Sequence, residues 1–130
     1  MLKEAKLLID DRVFAYNNEI AYGRYNGDVI EIYNPDNELI TILSGIKPGR
    51  SVYRTNIRYQ NGIFYVIVDD NLYVRGIDNF NIPNVRTIQT ICKHLIYYLN
   101  TTNVMMLYNT VNSTKTMLSY FSWDSFILEP

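Results

Sequence analysis

The chain has 130 residues and a net charge of −1, which suits a single domain and disfavours a protein that wraps a nucleic-acid backbone. Hydrophobic residues make up 48% of it and charged residues 19%, a composition that excludes intrinsic disorder. One cysteine excludes an internal disulfide, and one histidine leaves no Cys/His cluster for a structural zinc ion.

Four strands separated by turn signals are predicted in the first third of the chain. They cover residues 12–16, 19–25, 28–33 and 38–43, where β-branched, aromatic and aliphatic residues alternate with polar ones. Asn26-Gly27 closes the second strand, and Pro35 suits the second position of a type I turn after the third. The segment of residues 44–49, with Gly45, Pro48 and Gly49, interrupts the pattern.

A β-hairpin is predicted around Asn61-Gly62, because both residues tolerate the positive φ of a two-residue type I′ turn. Tyr59 then faces Phe64, and Arg58 faces Tyr65. Facing residues point to the same side of a sheet, so the register predicts one core face. That face consists of Thr55, Ile57, Tyr59, Phe64, Val66 and Val68.

The following turn decides on which side the next strand places its side chains. A two-residue loop would direct Arg75 into the core, where an unpaired charge costs several kcal/mol. We therefore predict a three-residue loop, Asp69 to Asn71, which aligns Leu72 with Val68 on the core face. The opposite side, called the Arg/Tyr face below, is predicted to bind a partner through Arg54, Arg58, Tyr65, Ile67, Tyr73 and Arg75.

A helix is predicted over about residues 85–100. Val85, Ile88, Ile91, Leu95 and Leu99 recur at helical spacing, and Asn84 is suited to the N-cap position. The tail is ambiguous: residues 104–108 and 117–123 are typical of a hairpin, whereas residues 117–126 would also suit a short helix. We favour the hairpin because β-branched and aromatic residues bracket a polar loop.

These elements predict one α+β domain over residues 1–130. Its mostly antiparallel sheet has six to eight strands, and the single main helix, about residues 85–100, packs on one face.

The chain shows no catalytic signature. It contains no G-x-S-x-G motif, no P-loop and no G-x-G-x-x-G motif, and Cys92 and His94 are interpreted as ordinary helix residues. We expect a protein that is not an enzyme, with no catalytic residues, metal or cofactor. No signal peptide or membrane-spanning run is evident, so we expect a cytoplasmic protein, in a host cell or within a virion.

The functional prediction is a small protein-binding module, because interface cores are rich in Tyr and Arg and poor in Lys. Abundant Ile, Asn and Tyr indicate an A/T-rich genome. Size and usage together are typical of viral or phage accessory proteins that bind and inhibit a host protein, including components of host defence. The alternatives are a single-stranded nucleic-acid binder that uses the same face, and a self-assembling virion component, with a homodimer among its forms.

Overall fold

The computed structural model describes residues 13–16, 21–50, 55–76 and 78–120, and these residues form strands, turns, bends and irregular loops, with no helix among them. The twelve strands are β1 (Val13–Tyr16), β2 (Ala21–Asn26), β3 (Val29–Tyr33), β4 (Leu39–Ser44), β5 (Asn56–Gln60), β6 (Ile63–Val68), β7 (Asn71–Arg75), β8 (Phe80–Pro83), β9 (Val85–Cys92), β10 (Leu95–Asn100), β11 (Val104–Asn109) and β12 (Thr114–Tyr120). The prediction of an α+β fold with a main helix is therefore wrong.

The strands form three sheets of four, each built from consecutive strands. Their orders are β1-β2-β3-β4 in the first sheet, β5-β6-β7-β8 in the second and β9-β10-β11-β12 in the third. Contacts divide the chain into two compact units, Met1–Asn81 and Ile82–Pro130, and the boundary falls within β8. The predicted six to eight strands were too few, because β9 and β10 occupy the segment assigned to the helix.

The apparent helical spacing of residues 85–100 has a physical cause in the β9–β10 pair. Val85, Ile88 and Ile91 lie opposite Asn100, Tyr98 and Ile96, three residues that alternate onto one face of β10. Two register shifts insert an extra residue into β9 each time, so its inward residues recur every third position. This spacing imitates the i, i+3 repeat of a helix. Asn84 is a bend with φ +60°, not an N-cap, and Lys93-His94 forms the turn that joins the two strands.

Most strands of the first half, and the tail hairpin, lie close to their predicted positions. The Asn61-Gly62 turn has φ values of +52° and +79°, and the pairs Tyr59–Phe64 and Arg58–Tyr65 are confirmed. In the tail, β11 pairs with β12 as the hairpin interpretation predicted, as far as residue 120. The segment beyond residue 120 lies outside the described residues.

The first and second sheets share a hydrophobic core. Its buried members are Tyr25, Ile30, Ile32, Leu43, Ile46, Val66 and Val68, and the half-buried Ile57, Phe64 and Tyr73 pack against them. Ile57, Phe64, Val66 and Val68 therefore lie on the core face predicted for them. Tyr59 does not share their burial, since 55% of it is exposed.

Candidate functional site

The register of the β6–β7 hairpin divides the predicted Arg/Tyr face between the two sides of the second sheet. Val68 pairs with Asn71, so the loop contains only Asp69 and Asp70, with φ values of +47° and +62°. The three-residue loop was a wrong prediction, and a shift of one residue moves every side chain of β7 to the other face. Tyr73 lies opposite Val66 and Arg75 opposite Phe64, both on the core face.

Arg58, Tyr65 and Ile67 remain together on the other face. Arg58 pairs with Tyr65, and Ile67 follows Tyr65 two positions along β6. Tyr65 is buried, while Arg58 and Ile67 are half-buried. Arg54 is the sixth predicted partner-binding residue, and it lies outside the described residues. The binding role of all six residues stays a prediction, but the structure does not place them on one surface.

The Arg58 guanidinium lacks an acceptor for one of its nitrogens. Its Nη1 atom is buried and has no hydrogen-bond partner among the residues that the structure describes. Burial raises the pKa of the facing Tyr65 phenol above its ordinary value, and the positive charge of Arg58 partly offsets that rise. An unpaired, partly desolvated cation of this kind favours an approaching anion.

The donors of the Arg75 guanidinium do have acceptors, because backbone carbonyl groups surround it. Its Nε donates to the Ser44 carbonyl oxygen at 2.6 Å, and its Nη2 to the Gly45 carbonyl oxygen at 3.2 Å. Its Nη1 donates to the carbonyl oxygens of Val74 and Phe80 and to Asn81 Oδ1, at 2.9–3.2 Å.

These bonds leave Arg75 only 8% exposed. Its guanidinium carbon lies 5.4 Å from the centre of the Tyr73 ring, within the range of a cation–π contact. Burial lowers the pKa of Arg75 from its ordinary value, and Tyr73 opposes that shift. None of the acceptors is a carboxylate, so the positive charge is solvated by dipoles and not neutralised.

Strand β4 of the first sheet carries an exposed apolar stretch. Leu39, Ile40 and Ile42 are 50%, 57% and 52% exposed. The strand reads LITILS and contains no charged residue. β4 ends the first sheet, and no described strand pairs with its outer edge. Sequence reasoning predicted this strand but not its exposure, which depends on where the sheet ends.

A cleft of about 180 Å³ borders the second half of β4. It is lined by residues 41–44 of that strand and, from the second sheet and its connecting turns, by Gly62, Phe64, Arg75, Gly76 and Asn79. Arg75 is the one ionisable residue among the described residues of this lining. The cleft therefore combines an open strand edge with a buried positive charge.

Other chemistry is sparse in the described part of the chain. There, no group of three His, Cys, Asp or Glu residues is placed to hold a metal ion. Cys92 is exposed at the end of β9 and His94 is exposed in the turn, so neither is the helix residue that the sequence predicted. The described residues also include no helix that is long and apolar enough to cross a membrane.

Comparisons with known proteins give a distant structural likeness. No family model matches the chain, and no curated protein matches it in sequence. The N-terminal domain of Nup159 is similar to it, with a TM-score of 0.44 and 12% identity over 85% of this chain. So is a chain from the S. cerevisiae complex of a Dbp5 variant bound to Nup159, a Gle1 variant, IP6 and ADP, with a TM-score of 0.42 and 12% identity over 85% of this chain. The chain spans 34% of the length of each of these structures.

Proposed function

We propose that this protein is a protein-binding module that accepts an extended segment of its partner along β4. One observation carries the proposal: three large apolar side chains, each about half exposed, lie on an edge strand without a charged residue. An open edge offers unpaired N–H and C=O groups, and an added strand satisfies them while it covers the apolar side chains.

The edge strand β12 gives a useful contrast. It also carries exposed apolar residues, Met117 at 61% and Leu118 at 46%. β12 reads TKTMLSY, however, and its exposed Lys115 is the kind of charge that discourages pairing with another strand. β4 has no such protection, so it is the better docking edge of the two.

This proposal moves the docking surface away from the Arg/Tyr face but keeps the class of partner. The buried Tyr65 ring offers little surface on which a base could stack, so its position supports a protein partner over single-stranded nucleic acid. We retain the hypothesis of a viral or phage accessory protein that binds and inhibits a host protein. The partner would then be met in the host cytoplasm.

The test is a matched pair of charge insertions, Ile42→Lys on β4 and Met117→Lys on β12. Both replace an exposed apolar residue of an edge strand, so both should fold. We expect a partner captured from host extract by the unsubstituted chain to be lost with Ile42→Lys and kept with Met117→Lys. Equal capture by all three proteins would contradict the proposal.

A salt titration with a labelled single-stranded oligonucleotide tests the remaining alternative. Nucleic-acid binding weakens steeply as salt rises, because each phosphate contact releases counterions. We expect no binding at low salt. Tight binding with a steep salt dependence, unaffected by Ile42→Lys, would replace the protein partner with nucleic acid.

A further inference from the structure

The cleft beside β4 holds a positive charge for which no residue in the described part of the chain supplies a counter-ion. Arg75 is more than nine-tenths buried, and each acceptor of its guanidinium among the described residues is a carbonyl or amide oxygen. Its Nη2 carries two N–H groups and donates to one acceptor, the Gly45 carbonyl oxygen. Of the described residues that line the cleft, none is acidic. A carboxylate entering the cleft would therefore meet a desolvated cation with a spare donor.

We propose that the segment bound along β4 carries an Asp or Glu side chain that enters this cleft and contacts Arg75. This inference rests on the proposed function and adds the chemistry of the partner. The apolar side chains of the segment cover Leu39, Ile40 and Ile42, while its carboxylate supplies the missing charge. Charge-assisted hydrogen bonds from a guanidinium are about twice as strong as neutral ones, so the acid selects among extended segments.

A second copy of this chain is a weaker occupant of the same edge. Antiparallel pairing of two β4 strands would use the acidic residue next to the strand, Glu38, as the incoming carboxylate. Three hydrogen bonds already hold Glu38 to Asn34, through the Glu38 backbone N–H, its carbonyl oxygen and its Oε1. These bonds keep residues 34–38 in a turn. A separate protein segment is free to adopt the extended form.

The test adds a competing acid without disturbing Arg75. Asn79 lines the cleft, is exposed, and accepts a hydrogen bond from the Gly76 N–H through Oδ1 at 3.1 Å. Asn79→Asp keeps this acceptor and places a negative charge at the cleft. Asn56→Asp is the matched control, because Asn56 is exposed on β5 and does not line the cleft.

The probe is a displayed library of random twelve-residue peptides, selected on the unsubstituted protein. We expect the selected peptides to alternate apolar residues and to share one acidic position. For a representative synthetic peptide, Asn79→Asp should weaken binding about tenfold, and Asn56→Asp should change it less than about twofold. Replacing the peptide's acid with its amide should weaken binding to the unsubstituted protein similarly, and Asn79→Asp should then have little further effect.

The outcomes separate this inference from the proposed function. If Ile42→Lys abolishes binding of the selected peptides, but the peptides share no acidic position and bind Asn79→Asp as well as the unsubstituted protein, the inference is overturned and the β4 docking edge remains. If Ile42→Lys leaves peptide binding unchanged, or if the selection yields no binding peptide, both the inference and the proposed function are overturned. A dimer seen by light scattering that Ile42→Lys dissociates would show that a second copy occupies the edge, and would also overturn the inference.

Discussion

Arg58 and Arg75 place the same functional group on opposite faces of one sheet, with opposite results. Arg75 is buried and each of its guanidinium nitrogens donates a hydrogen bond, whereas Arg58 is half-buried with a nitrogen that bonds to nothing described. The difference lies in the neighbouring backbone, not in carboxylates. The strand ends and turns around Arg75 present carbonyl groups that are free to accept, whereas the regular β5–β6 pairing around Arg58 uses its carbonyl groups in the sheet.

The bonds of Arg75 also connect separate elements. Its acceptors lie at the end of β4, on β7 itself and on β8, so one side chain ties the first sheet to the second. A buried charge costs free energy unless its donors are satisfied, and here the carbonyl oxygens satisfy them. Arg75 is thus a structural clamp whose positive charge remains available to the cleft.

The largest expected effect is that of Arg75→Met. Removing the guanidinium takes the Arg75 donors away from the carbonyl oxygens of Ser44 and Gly45, and we expect the free energy of unfolding to fall by about 3–5 kcal/mol. Denaturant unfolding measures it. Arg86→Met is the control: Arg86 is exposed, also donates to a backbone carbonyl, and should cost less than about 1 kcal/mol. Equal losses would show that Arg75 is no clamp.

A smaller loss of stability is expected at Gly45, where the Arg75 guanidinium approaches the backbone. Gly45 has φ +70°, and a Cβ there would lie 3.3 Å from Arg75 Nη2. Gly45→Ala should lower the free energy of unfolding by about 1–3 kcal/mol. Gly27→Ala is the control for backbone strain, since Gly27 has φ +66° and no atom within 4 Å of the added carbon. If the two variants unfold alike, Arg75 adjusts to the added carbon without loss.

Arg58→Met should change the free energy of unfolding in the opposite direction. The substitution removes a buried nitrogen that has no acceptor and keeps much of the apolar stem, so we expect the free energy of unfolding to rise by up to about 1 kcal/mol. The same denaturant measurement applies. A loss as large as that of Arg75→Met would reveal that Arg58 has an essential partner, and the contrast between the two arginines would disappear.

The smallest effect concerns the ionisation of Tyr65. Arg58 lowers the pKa of this phenol against the stronger effect of burial, so Arg58→Met should raise that pKa further. Ultraviolet absorbance of phenolate measures it, with the Tyr65→Phe variant subtracted. Because the folded pKa exceeds the unfolded one, the contribution of Tyr65 to stability is complete below about pH 10 and is lost as pH rises through the folded value. An unchanged titration would mean that the two side chains do not interact.

The parts of the fold that follow from local signals were predictable, and those that depend on distant acceptors were not. Asn61-Gly62 determined a register without outside help, because its turn type requires positive φ. The Asp69-Asp70 turn was misjudged because its register depends on carbonyl groups at Ser44 and Gly45, which accept hydrogen bonds from Arg75 and lie 31 and 30 positions before it in the chain. The residue pattern of β7 does not indicate those acceptors.

The predicted helix failed for a different reason. Two bulges in β9 gave Val85, Ile88 and Ile91 a spacing that periodicity alone cannot distinguish from a helix. Thr87 and Thr90 lie between them, and this run of β-branched residues was the signal that favoured a strand. Of the candidate site, Arg58 and Tyr65 were placed correctly from the register of the Asn61-Gly62 turn, whereas Tyr73 and Arg75 were assigned to the wrong face because the next turn was predicted one residue too long.

The six-residue β4 strand has a consequence for the free protein. A short, uncharged segment rich in β-branched and aliphatic residues, with no proline, matches the kind of sequence that stacks into cross-β fibrils. A partner bound along β4, as proposed above, would also protect the molecule from fibrillation. At high concentration and without a partner, the protein should therefore form thioflavin-positive deposits on storage, and the Ile42→Lys substitution should suppress them.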